Sequence, residues 1–156
     1  MNERVTAIAA VSGGISQTQL PTYSFQQPLS VLMINGTKDP LVNYDGGYGT
    51  LNKRNKGKED ADLVPAEQLL QKIVMLDHCN TKAQALMLPD ADLSDGCTET
   101  EYIYGGNDVK VNFIKIVNGG HTWPGGTQYL PRFIIGRLCK DFNASQKIFD
   151  FFKSVQ

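Results

Sequence analysis

The sequence predicts an α/β fold with a mostly parallel sheet and flanking helices, and three observations carry that expectation. Residues 4–14 (RVTAIAAVSGG) and 29–40 (LSVLMINGTKDP) are short, almost continuously apolar runs that close on glycine and polar residues. Strands buried on both faces read that way. Residues 64–79 then carry Leu69, Leu70, Ile73 and Leu76 at helical spacing, before a third strong strand pattern at 109–121. Strands that alternate with helices point to a parallel sheet, and functional groups of such sheets collect beyond the carboxyl ends of the strands.

Taken in order, residues 4–14 form the first strand. Residues 15–28, with Pro21 and Pro28, read as loop, and 29–40 as the second strand. Residues 43–62 are glycine-rich and then strongly charged, the composition of a solvated excursion. Pro65 stands at a first helical position, where its missing N–H costs nothing, so the helix over 64–79 is well signalled. The segments 84–88 (QALML) and 98–104 (TETEYIY) show partial alternation and are expected to form an added pair of strands. Asn143 is an N-cap for a closing helix over 143–155, with Ile148, Phe151, Phe152 and Val155 along one side.

The 156 residues suit one domain, with no internal repeat. A formal charge of −1 gives no electrostatic case for a nucleic acid or an anionic membrane as partner. No apolar stretch approaches the ~20 residues of a membrane-spanning helix. No signal-peptide pattern stands at the start, although a chain that opens at once on a buried strand reads as beginning inside a larger unit. Cys79, Cys97 and Cys139 fit no zinc-ligand spacing. Three buried thiols and a Cys79–Cys97 bridge are both open readings.

Two residues stand out chemically. His121 lies in NGGHTWPGG, between paired glycines and the only tryptophan, just past the third strand. A histidine held on a rigid turn there suits proton transfer, because its ordinary pKa lies near neutrality. Asp39 leaves the second strand through Gly36 and precedes Pro40. Asp-Pro is a common turn pair, but a carboxylate there can also fix an imidazole's tautomer, as in a nucleophile–base–acid relay. An acid followed later by a histidine is the order of hydrolases whose nucleophile comes first. Ser12 in AVSGG is the one serine in a small-x-Ser-x-small pattern. A nucleophile elbow feeds straight into a helix, whereas GGISQTQLP follows Ser12, so it reads as a loop serine. Residues 90–101 (DADLSDGCTETE) approach a calcium-loop pattern, but Asp95 occupies the position that requires glycine. No metal site and no cofactor are expected.

Together INGTKDPLVNYDGG, NGGHTWPGG and DFNASQKIFDFF resemble the C-terminal half of the polyhydroxybutyrate depolymerase-like esterases, secreted α/β-hydrolases grouped with feruloyl and acetylxylan esterases. AIAAVSGG is similar to the strand that follows the nucleophile's helix there. The resemblance implies a partial α/β-hydrolase domain over 1–156, its N-terminal half absent and Met1 lying inside a longer polypeptide. It implies a Ser–Asp–His esterase whose acid is Asp39 and whose base is His121, with Trp123 and Tyr44 near the acyl pocket. The serine and the oxyanion-hole donors would lie upstream. The implied partners are an ester substrate, polyester or acyl-decorated polysaccharide, and the missing N-terminal half of the fold, in an extracellular or periplasmic setting. A non-catalytic binding module and a peptidase are the alternatives.

Overall fold

The computed structural model describes residues 5–49, 62–106 and 109–155. Most of the charged excursion in 43–62 lies outside them. Five strands form one sheet: β1 (Ala7–Val11), β2 (Ser30–Gly36), β3 (Gln84–Met87), β4 (Thr98–Gly105) and β5 (Lys110–Val117), in the order β1-β2-β5-β4-β3. Among the described residues three short helices accompany them, α1 (Ala66–Leu76), α2 (Arg132–Ile135) and α3 (Ala144–Ser154), with a 3₁₀ turn at Leu20–Thr22.

This overturns the expected fold class. The sheet is mixed: β1 with β2 and β2 with β5 run parallel, whereas β5 with β4 and β4 with β3 run antiparallel. The architecture is strand-dominated, not a mostly parallel sheet with flanking helices, and the assignment to the C-terminal part of an α/β-hydrolase fold is not sustained. The physical reason lies in the connections. β1 reaches β2 through a loop with only a 3₁₀ turn, and β3, β4 and β5 follow one another as a meander. The partial alternation of residues 98–104 was the signal of that antiparallel half: Glu99, Glu101 and Tyr104 are the buried residues of β4.

β2 is buried along its whole length and sets the two cores by alternation. Val31 and Met33 join Val111 and Phe113 of β5 and Leu69, Leu70, Ile73 and Val74 of α1. Leu32 and Ile34 join Ile114 and Ile116 of β5 and Phe151 of α3 on the other side. Each such fully buried side chain contributes about 1.5–3 kcal/mol relative to exposure. Pro65 proves to be the N-cap of α1. Asn143 caps α3, its side-chain oxygen accepting from the Gln146 amide at 3.1 Å. All three cysteines are free and buried. Cys79 belongs to the first core and Cys97 to the second, so the sheet stands between the two thiols of the imagined bridge. The calcium-loop pattern does not form a loop either: Glu101 lies within β4, held by Asn112 and Lys147.

Candidate active site

The carboxyl ends of β2 and β5 are neighbours in the sheet, and the turns that leave them interlock. The Thr37 amide donates to the Ile116 carbonyl at 2.9 Å and the Lys38 amide to the Gly119 carbonyl at 2.9 Å. Glycine is required at two places in these turns. A Cβ on Gly36 would stand 2.3 Å from the Gly119 oxygen, and one on Gly120 would stand 2.2 Å from the Ile135 oxygen. No side chain fits at either position. The His121 amide then donates to the Ile135 carbonyl at 2.6 Å, and the Tyr129 hydroxyl donates to the His121 carbonyl at 2.9 Å. The backbone around the imidazole is thus tied on both sides.

Asp39 and His121, 82 positions apart in sequence, meet: Nδ1 of the imidazole lies 2.9 Å from Oδ2 of the carboxylate. The Asp39 side chain is 1% exposed and that of His121 is 28% exposed. The other carboxylate oxygen, Oδ1, accepts from the amides of Leu41 and Val42, each at 2.8 Å. That Asx-type turn follows from Asp-Pro, so the turn reading and the acid reading of Asp39 both describe the same side chain. The hydrogen bond that His121 donates to Asp39 raises the His121 pKa above its ordinary value, with burial opposing it. An imidazole whose Nδ1–H is given to a carboxylate keeps Nε2 as a base.

The remaining expected residues divide. Trp123 is half-exposed beside His121, its indole N–H donating to the Ser145 hydroxyl at 3.1 Å. Tyr129, Leu130 and Phe133 are exposed on the same segment. Tyr44 is only 7% exposed and lies in the first core, stacked on Phe113. Its hydroxyl donates to Glu67 at 2.8 Å, and burial followed by that carboxylate drives its pKa upward. Ser12 follows β1 directly at φ 50°, with its amide on the Ile34 carbonyl. No hydrogen bond between Ser12 and His121 occurs among the described residues. Sequence reasoning missed Tyr129; an aromatic hydroxyl eight residues past a histidine carries no recognisable signal.

The chain matches no protein-family profile and no curated protein.

Proposed function

We propose that this chain supplies the acid and the base of a serine esterase that hydrolyses carboxylic esters, with the serine and the oxyanion donors carried by another segment. The observation that carries the reading is the 2.9 Å contact between His121 Nδ1 and the buried Asp39 carboxylate, at the ends of adjacent parallel strands. The likeness of INGTKDP and NGGHTWPGG, the segments that carry these two residues, to the polyhydroxybutyrate depolymerase-like esterases points the same way.

In this mechanism His121 Nε2 takes the proton of the serine as its oxygen attacks the ester carbonyl. Asp39 stabilises the imidazolium that forms. The same proton then passes to the leaving alcohol, and a water activated by His121 releases the acid and restores the serine. The exposed apolar side chains of Trp123, Leu130 and Phe133 on the histidine's own segment favour an ester with an apolar or aromatic acyl part. β1 lies at the end of the strand order, and its AIAAV sequence offers no charge to discourage a further strand. That edge favours a companion segment seated beside it.

Fluorophosphonate labelling of the protein together with its companion segment, mapped by peptide mass spectrometry, tests the assignment. Label is expected on a serine of the companion segment and not on Ser12. Label on Ser12 would show that the chain carries its own nucleophile and would overturn the proposal.

A further inference from the structure

Away from His121, the fold assembles a second group of side chains whose chemistry is not explained by packing. β4 directs Glu99 into the second core, where it is 2% exposed. Cys139, fully buried, donates its S–H to Glu99 Oε1 at 2.7 Å. Asp95, Cys139 and Asp141 present ligand atoms that all lie within 4.8 Å of one another. Glu99 Oε2 and Asp141 Oδ2 are both buried and accept no hydrogen bond.

Buried carboxylate oxygens without donors cost about 1–3 kcal/mol each, and more when charged. The nearby cations do not serve these two atoms. Arg137 Nη1 donates to the Asp95 carbonyl at 2.9 Å, and Lys140 Nζ pairs with Asp92 at 3.4 Å. A proton shared between Glu99 and Asp141 or a metal cation would satisfy both atoms. The thiol decides the class. Calcium and magnesium take oxygen ligands, whereas a thiolate among carboxylates suits zinc and its neighbours. Bonds of about 2.3 Å to sulfur and about 2.1 Å to oxygen close the observed spacing with side-chain shifts under about 1 Å.

The geometry points to a divalent transition-metal site, of zinc type, formed by Asp95, Cys139 and Asp141, with Glu99 holding the Cys139 thiol beside them. On binding, the Cys139 S–H bond breaks, its electron pair goes to the metal and its proton to solvent. The ion clamps the turn before β4 to the segment 137–141. That clamp bears on the candidate active site, because the Arg137 carbonyl accepts from the Gly120 amide at 2.9 Å and from the Thr122 hydroxyl at 3.2 Å. The inference does not depend on the esterase reading.

Chelator-treated protein titrated with Co²⁺ tests it. A thiolate-to-cobalt charge-transfer band in the near ultraviolet is expected, abolished by added Zn²⁺, with Zn²⁺ also raising the melting temperature. Cys139→Ser should lose the band and Cys97→Ser should keep it. Glu99→Gln should weaken Co²⁺ affinity at least about tenfold, the scale on which metal sites respond to such losses, and this variant answers the question if Cys139→Ser does not fold. Absence of the band, or its survival in Cys139→Ser, overturns the site. A protein that ignores both metals but is stabilised by Glu99→Gln would show that the carboxyl pair holds a proton instead.

Discussion

Replacing Asp39 by asparagine separates the two tasks of that side chain. The two amides that donate to Oδ1, from Leu41 and Val42, require an acceptor, and the asparagine carbonyl supplies it in the same place. Its NH₂ then faces His121 Nδ1, which stands 2.9 Å from Oδ2 in the wild type. A donor in that position demands a lone pair on Nδ1, so the imidazole proton moves to Nε2 and the base is lost. The expected fall in kcat of the assembled enzyme is about 10⁴-fold, or about 5 kcal/mol. The fold should change little, whereas Asp39→Ala strands two amides at about 1–3 kcal/mol each. Long-range ¹H–¹⁵N correlation spectra of the imidazole report the tautomer and the pKa together. The sign of the pH effect follows from the raised His121 pKa. Its contribution to stability is fully present below the ordinary value of about 6.5 and is lost as pH rises through the folded value. The stability gap between wild type and Asp39→Asn should therefore narrow as pH rises through that window. An Asp39→Asn protein that keeps the Nδ1–H tautomer and an unchanged His121 pKa would refute the reasoning.

Gly36→Ala and Gly120→Ala should each destabilise the chain by about 1–3 kcal/mol in urea titrations, because the new methyl meets backbone oxygen at little over 2 Å. Trp123→Ala should leave stability within about 1 kcal/mol, since the ring is half-exposed, and raise KM for aromatic esters in the assembled enzyme. Cys79 and Cys97 should react with a thiol reagent only after unfolding. Burial raises both pKa values, that of Cys97 to about 12, so a fast reaction in the native state would contradict the buried placement.

The candidate site was more legible in the sequence than the fold was. Asp39 and His121 could be read because each follows a buried strand through glycine, at the strand end where functional groups of parallel sheets collect. Their meeting depends only on β2 and β5 being neighbours, which holds in a mixed sheet as well as in a parallel one. The fold class failed on how β3 and β4 join the sheet: the expected added pair runs antiparallel, β3 against β4 and β4 against β5, and makes the sheet mixed. β4 turns Glu99 and Glu101 inward, the reverse of what polarity alone implies, because Cys139, Asn112 and Lys147 receive them. Those partners lie far along the chain and leave no local mark. The same holds for the group around Cys139: its members look like isolated turn and strand residues until the segment 137–141 is laid beside the turn at 95. Tyr44 was read from its neighbours in a motif, yet its ring is committed to Phe113 and Glu67.

The central claim is that His121, oriented by Asp39, is the base of an ester hydrolysis whose serine comes from another segment. Hydrolysis of p-nitrophenyl acetate by the chain alone, by the chain assembled with its serine-bearing companion, and by that assembly carrying His121→Ala tests it most directly. The account predicts no turnover above free imidazole for the chain alone, saturable turnover for the assembly, and loss of that turnover on His121→Ala. Saturable turnover by the isolated chain that disappears on His121→Ala, or assembled activity that survives the substitution, would contradict it.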